Sequence, residues 1–352
     1  MSLKKAFEPY FKIGTSVSWK NLQNPKAMEE LKKHYSSITC ENNMKPMFFL
    51  DEEANCTEPE KYHLAPALRF EYAKPFLDAA KETGIALRGH TLVWHNQTGD
   101  WFFKENYSKD ENAPLVSREV MLARMENYIK GVLEYVQTNY PGVIYAWDVV
   151  NEAVEETEKD GWRDSLWLQT IGRDFVVQAF RFARKYADPE VKLFYNDYNA
   201  FWPVKMNYII PNILEPLCKE GLVDGMGMQT HLVRGESNLD DYEKAVETYG
   251  AMGLEVQATE IDIHVTDPGE GGMQVLADMY RRIFEIYTNA CREGKAKVTA
   301  VVFWGMKDDE SWLTGFRKER SYPLLFGDNW EEKEAYKAVM EVAEEFNSTH
   351  LH

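Results

Sequence analysis

The stretch VIYAWDVVNEAVEE, residues 143–156, decides how the rest of the chain is read. It begins as a buried strand, with Tyr145, Ala146, Trp147, Val149 and Val150. It then runs into Asn151 and Glu152 and on into an acidic segment with a helical pattern. An apolar strand that ends in an Asn-Glu pair is either surfacing at a solvated edge or aimed at something. The way the other strands end separates the two.

Seven further apolar runs recur: KIGTSV (12–17), SSITCEN (36–42), IALRGHTLVWH (85–95), VKLFYND (191–197), DGMGMQTH (224–231), EVQATEIDIHV (255–265) and VTAVVFWG (298–305). Between them lie amphipathic stretches. The clearest is 117–140, where Met121, Met125, Tyr128, Ile129, Val132, Leu133 and Val136 recur at helical spacing. Ser117 stands as its N-cap and Pro141-Gly142 as its stop. Residues 166–186, 206–222 and 273–293 read the same way. Strands alternating with helices indicate parallel βαβ units, and eight of them predict an α/β chain folded as a (β/α)8 barrel. No linker, repeat or low-complexity tract divides the chain, so one domain over 1–352 is expected. An open doubly-wound sheet is the alternative, disfavoured because no G-x-G-x-x-G follows the first strand.

Barrels of this class carry their chemistry at the C-terminal ends of the strands. Run two ends in Glu41 and Asn42, with Lys45 just after. Run three carries His90 and ends at Trp94-His95, with Gln97 beyond. Run four ends at Asn151-Glu152, run five at Asn196-Asp197-Tyr198, and run six at Gln229 and His231. Run seven holds Glu260 and Asp262, and run eight ends at Trp304. One polar strand end is unremarkable. A set of them, at the face where the fold does chemistry, points to a cleft.

Composition narrows the chemistry. The formal charge of −17 argues against a nucleic-acid binder, which needs a basic footprint. The four cysteines, Cys40, Cys56, Cys218 and Cys291, are scattered and signal neither a zinc site nor a disulfide framework. His90 and His95 fall on opposite faces of one strand and do not suit a shared metal ion. No Gly-rich phosphate loop and no G-x-S-x-G elbow appears, so no metal or cofactor is expected. The start MSLKKAFEPYFKIGTSVS has no long apolar run, so neither a leader nor a membrane span is expected, and a cytoplasmic location follows unless a leader has been removed. The N-x-Ser/Thr triplets at Asn55, Asn96, Asn106 and Asn347 then read as chance matches.

What remains is two glutamates on well-separated strands, Glu152 and Glu260, among amides, His and Trp. That is the inventory for glycoside hydrolysis, in which one carboxyl protonates the leaving oxygen and the other attacks the sugar or activates water. The 10 Trp residues suit such a cleft, because sugar C–H faces pack on aromatic rings.

Seven motifs carry a resemblance: ITCENNMKP, GHTLVWHNQTGDWFF, WDVVNEA, LFYNDYN, MQTHL, TEIDIHV and FWGMKDDESWL. In this order the sequence resembles the glycoside hydrolase family 10 endo-β-1,4-xylanases over nearly its whole length. The resemblance implies an endo-acting xylanase with Glu152 as general acid/base and Glu260 as nucleophile of a retaining mechanism. Asn151 would hold the 2-hydroxyl of the sugar under attack. His231 would hydrogen-bond the nucleophile, with Asp262 orienting it. Glu41, Asn42 and Lys45 would bind hydroxyls on the glycone side. His90, Trp94, Gln97, Gln229, Trp304 and Trp312 would line the sites around the cleavage point, and Tyr198 would be an aglycone platform. A retaining pair needs its carboxyls about 5–5.5 Å apart, with Glu260 ionised and Glu152 protonated at rest. Pro46 stands where Trp is commoner, and 47–64 departs from the family pattern. The negative charge weighs against glucuronate-decorated xylan unless the local field of the cleft differs from the net charge. Rival readings are a β-1,4-glucan substrate, an idle sugar-binding barrel and a metal-dependent barrel hydrolase.

Overall fold

The structure, a computed structural model, describes residues 1–348. Its strands are β1 (Lys12–Val17), β2 (Ser37–Cys40), β3 (Ala86–Trp94), β4 (Ile144–Asn151), β5 (Lys192–Asp197), β6 (Gly225–Met228), β7 (His231–Val233), β8 (Glu255–His264) and β9 (Lys297–Phe303). Helices follow the strands along the chain, giving the expected (β/α)8 barrel. By internal contacts the chain groups into two compact units. One holds Met1–Thr39, Tyr198–Pro203 and, among the described residues, 226–348. The other holds Cys40–Asp197 and Val204–Gly225.

In the first unit β1 pairs with β9, β9 with β8 and β8 with β7, all parallel. Helix Glu270–Arg292 packs against helix Glu334–Ser348 and sends Phe284 into an aromatic cluster with Phe7, Phe11, Tyr287 and Phe303. The sixth apolar run is not one strand but two, β6 and β7. The break falls at Gln229-Thr230, where Thr230 takes a left-handed backbone with φ 67°. Its Oγ1 donates back to the Met228 carbonyl at 2.9 Å and meets the Tyr242 hydroxyl at 2.7 Å, which in turn meets Tyr287 at 2.6 Å. A β-branched residue tolerates this conformation only when its surroundings over-determine it.

In the second unit β3, β4 and β5 run parallel in that order. Strand β4 is buried throughout except at Tyr145, as a parallel strand covered on both faces must be. Gly89 of β3 lies against Trp147 of β4 so closely that a Cβ would sit 2.3 Å from the indole ring. Helix Arg118–Asn139 starts at Ser117, whose side chain accepts the Val120 N–H, and buries the seven predicted apolar positions. The stretch 166–186 forms two helices, Leu166–Ile171 and Phe175–Tyr186, because Gly172 (φ 105°) ends the first. The helix expected over 206–222 runs over 203–219 and contains one wider turn, Ile210–Leu214, around Pro211. Among the described residues no helix is long and apolar enough to cross a membrane, and the four cysteines are free thiols.

Candidate active site

In the second unit the polar residues gather at the ends of β3, β4 and β5. Trp94 closes β3 in register with Asn151, which closes β4, and Asn151 is in register with Asn196 of β5. Asn196 donates its side-chain amide to the Asn151 Oδ1 at 3.0 Å. Glu152 follows directly, in a left-handed conformation with φ 56°. Its N–H donates to the Asn196 carbonyl at 2.9 Å, and its own carbonyl accepts from Arg163 Nε at 2.9 Å. The next N–H, of Ala153, donates to the Tyr195 hydroxyl at 3.0 Å. These bonds turn the chain at the strand end and present the Glu152 side chain, whose Oε2 accepts the Trp94 indole N–H at 2.9 Å.

His95 lies beside the same carboxylate, its Nδ1 3.9 Å from Glu152 Oε2. Burial outweighs that negative neighbour and lowers the imidazole to a pKa of about 4, so His95 is neutral near pH 7. Lys45 places its Nζ 4.9 Å over the Trp94 ring and donates to Asn42 Oδ1 at 2.9 Å. Asn42, Lys45, Trp94 and Glu152 therefore form one connected set. Gln97 joins it through the backbone, its carbonyl accepting the Met47 N–H at 2.8 Å. Glu41 is half-buried just past β2.

His90 is buried, its Nδ1 2.8 Å from Asp148 Oδ2, and Arg88 forks onto the same Asp148. Neither Arg88 nor Asp148 was among the candidates from sequence, although a lone Asp inside the apolar run YAWDVV was the available signal. Behind Glu152 lies a second unexpected network. Tyr195 donates its hydroxyl proton to Asp197 at 2.5 Å, and Asp197 pairs with Lys205 at 2.8 Å, with both ions fully buried. Burial, partly offset by Lys205, raises Asp197 to a pKa of about 6.

In the first unit the centre is Glu260, within β8 and 5% exposed. Its backbone N–H donates to the Gln229 carbonyl at 2.9 Å, and that of Asp262 to the Thr230 carbonyl at 3.3 Å, so the break between β6 and β7 is stitched onto β8. His231 pairs in register with Asp262. Its Nδ1 is 2.8 Å from Asp262 Oδ1 and its Nε2 is 3.0 Å from Glu260 Oε2. Trp312 donates its indole N–H to the other Asp262 oxygen at 2.8 Å and sets its ring edge-on to His231. Burial disfavours the imidazolium, but the Asp262 charge and the hydrogen bonds to Asp262 and Glu260 outweigh it and raise His231 to a pKa of about 10. Glu260 thus sits beside a cation held by its second nitrogen. Gln229 and Trp304 are buried, the Gln229 carbonyl accepting the Glu260 N–H and Trp304 donating its backbone N–H to the Ile261 carbonyl at 3.0 Å, and Tyr198 is half-buried at the start of the segment 198–203.

The two carboxyl groups have unlike settings. Glu260 lies inside a strand and is held through an imidazolium; Glu152 lies past a strand end, and its carboxylate accepts an indole N–H. Such a division is what acid and nucleophile roles call for. Among the described residues no group of His, Cys, Asp and Glu could hold a metal ion.

Residues 2–342 match the family described as glycosyl hydrolase family 10. The chain is 53% identical over 343 residues to endo-1,4-beta-xylanase B of Butyrivibrio fibrisolvens, which covers 97% of this chain and 53% of that protein. It is 39% identical over 345 residues to endo-1,4-beta-xylanase A of Thermotoga maritima, covering 96% of this chain and 30% of that protein. The chain thus spans about half, or less, of the length of these two relatives. A solved structure of Clostridium thermocellum xylanase 10B, its CBM22-1 and GH10 modules complexed with xylohexaose, superposes with a TM-score of 0.88 at 37% identity, over 97% of this chain and 67% of that one.

Proposed function

The chain belongs to glycosyl hydrolase family 10, and from that premise we propose that it is an endo-1,4-β-xylanase acting on xylan or xylo-oligosaccharides with retention of configuration. Glu152 donates its proton to the glycosidic oxygen as the bond from C1 to that oxygen breaks. Glu260 attacks C1 and forms the glycosyl-enzyme. Glu152, now ionised, takes a proton from water; the water oxygen bonds to C1 and Glu260 leaves as carboxylate. Asn151 holds the 2-hydroxyl, a contact that strengthens as the ring becomes oxocarbenium-like.

The observation that carries this reading is the chain Glu260–His231–Asp262–Trp312. An imidazolium between two carboxylates keeps Glu260 ionised and aligned, as a nucleophile requires. The acid/base, in contrast, must change state twice per turnover, and the Glu152 Oε2 accepts from a neutral indole N–H. The names of the relatives support xylan as the substrate class.

The test is the first-formed product from linear xylo-oligosaccharides, with cello-oligosaccharides in parallel. Internal cleavage of the xylose series giving the β-anomer by NMR is expected. An initial α-anomer would refute retention, and cleavage of the glucose series alone would overturn the substrate. Glu260→Ala should abolish turnover on every substrate. Glu152→Ala should impair poor leaving groups far more than activated aryl ones, and equal losses on both would reject Glu152 as proton donor.

A further inference from the structure

We propose that His264 is a positioning residue for the nucleophile: it clasps the segment 311–323 to β8 and so keeps the Trp312 indole bonded to Asp262. The inference rests on the reading of Glu260 as nucleophile. All the residues involved belong to the first unit.

Side chains alternate along a strand, so Glu260, Asp262 and His264 stand on one face of β8. Glu260 meets His231, and Asp262 joins His231 to the Trp312 indole N–H. His264 reaches further along the segment that carries Trp312. Its Nδ1 is 3.0 Å from Ser321 Oγ and its Nε2 is 3.1 Å from Glu319 Oε1. An ionised carboxylate only accepts, so Nε2 carries a hydrogen. The Ser321 hydroxyl can give or take at Nδ1, so both bonds persist in either charge state of the ring. Serine, histidine and carboxylate in a row also match the inventory of an acyl-transfer triad. Burial excludes that second activity: Ser321 is 0% exposed and the Glu319 side chain 55%, so the hydroxyl is sealed while the carboxylate faces solvent.

Trp312 needs such a hold. It starts the helix Trp312–Arg317, which at six residues is too short to be stable by itself. The helix ends at Lys318, in a left-handed conformation with φ 58°, and residues 315–319 are exposed. Phe316 packs on Trp312 with ring centroids 4.8 Å apart, yet it is 66% exposed, so burial does not fix this end.

Hydrogen bonds fix it instead. Ser311 Oγ accepts the Leu313 N–H at 3.3 Å where the helix begins. On the return leg Tyr322 N–H donates to the Val265 carbonyl at 2.9 Å, and the Pro323 carbonyl accepts from Ile263 N–H at 3.3 Å and from the Tyr280 hydroxyl at 2.7 Å. These bonds hold 322–323. His264 holds Glu319 and Ser321, the stretch between that leg and the helix. Ser321 N–H in turn donates to Thr314 Oγ1 at 3.2 Å, inside the helix. Strand β8 therefore grips the helix twice, directly through Asp262 and Trp312, and through His264, Ser321 and Thr314.

The experiment measures kcat/KM of the full chain on a linear xylo-oligosaccharide and on an activated aryl xyloside. His264→Ala should lose about tenfold on both alike, the scale of one hydrogen bond to a charged group, because the nucleophile serves every leaving group. His264→Gln, whose amide replaces the donor to Glu319, should recover part of the loss. Combined with Trp312→Phe, the losses should fall well short of multiplying, since a phenyl ring leaves no N–H for the clasp to place. Unchanged activity in His264→Ala would overturn the proposal, as would losses that multiply, which would mark general damage. Glu319→Ala keeps the test open if His264→Ala misfolds: its carboxylate is at the surface, and a smaller loss with the same dependence on Trp312 is expected. A second readout needs no substrate. The Trp312 indole N–H resonance, identified by its absence in Trp312→Phe, should shift or broaden in His264→Ala and in Glu319→Ala, and a resonance that stays in place rejects the clasp. If the wild type cuts neither substrate, the nucleophile reading fails by itself, and the resonance still decides whether His264 holds Trp312.

Discussion

Replacing His231 by Asn should remove a part of the stability that depends on pH in one direction. His231 is 17% exposed at its side chain and lies between Glu260 and Asp262, and its pKa is about 10 in the folded chain against 6.5 unperturbed. The folded state therefore binds this proton more tightly than the unfolded state. The stabilisation is fully present below pH 6.5 and is lost as pH rises through about 10. Inside that window the folded chain carries about one more proton than the unfolded chain, so this group alone lowers stability by about 1.4 kcal/mol per pH unit. Between pH 7.5 and 9 the wild type should lose roughly 2 kcal/mol relative to His231→Asn, in which nothing titrates at this position. Urea unfolding of both proteins at half-unit steps over that range, where carboxyl groups have finished titrating, gives the difference directly. A difference that stays constant with pH would show that His231 is neutral in the fold, and the argument for an imidazolium holding Glu260 would fail.

Three further outcomes are expected. Trp94→Phe deletes the N–H that reaches Glu152 Oε2, and kcat/KM on xylo-oligosaccharides should fall roughly 10- to 100-fold, with a smaller loss on activated aryl xylosides; equal losses on both would separate Trp94 from proton transfer. Tyr195→Phe leaves the Ala153 N–H and the Asp197 carboxylate without their shared hydroxyl, and urea titration should show about 1–3 kcal/mol less stability. Gly89→Ala places a methyl 2.3 Å from the Trp147 ring, and chain stability should fall by about 1–3 kcal/mol or more; an unchanged Tm would mean that the contact is looser than the structure shows.

The fold was legible because each strand is a short apolar run with its own boundaries. The runs at 12–17 and 191–197 match β1 and, within a residue, β5. The sixth run was not, since nothing local in GMGMQTH marks the left-handed turn at Thr230; that turn is held by Tyr242 and by bonds to β8, which lie far along the chain. Gly172 was visible in 166–186, but one glycine inside a helical pattern is often tolerated, and only its φ of 105° ends the helix. Of the two proposed catalytic carboxyls, Glu152 drew notice as a polar residue directly after an apolar strand, and Glu260 as a carboxyl inside one. The resemblance named His231 and Asp262 beside Glu260, but the buried ion pairs behind His90 and Tyr195 were not legible. Arg88 and Asp148 are 60 positions apart, and Lys205 reads as a solvated residue on a helix until Asp197 is brought to it. Buried ion pairs of this kind are selected by tertiary contact, which residue spacing does not encode.

The settings of the two glutamates follow from where each sits on its strand. Glu260 is inside β8, so its backbone is fixed by the sheet and only its side chain needs support, which His231 supplies. Glu152 lies just beyond β4, where the sheet no longer holds the chain, and its left-handed backbone costs on the order of 1–2 kcal/mol. Three hydrogen bonds to backbone groups offset that cost: Glu152 N–H to the Asn196 carbonyl, Arg163 to the Glu152 carbonyl, and Ala153 N–H to Tyr195. Two of these partners stand on β5, so the neighbouring strand does for Glu152 what its own strand does for Glu260. The Tyr195 oxygen can accept from Ala153 because its proton goes to Asp197, which Lys205 keeps charged. On the proposed mechanism the acid/base therefore depends on a buried ion pair that touches neither its carboxyl nor the substrate. Losses from Tyr195→Phe should accordingly be larger for poor leaving groups than for activated ones, whereas a general loss of folded protein would lower both alike.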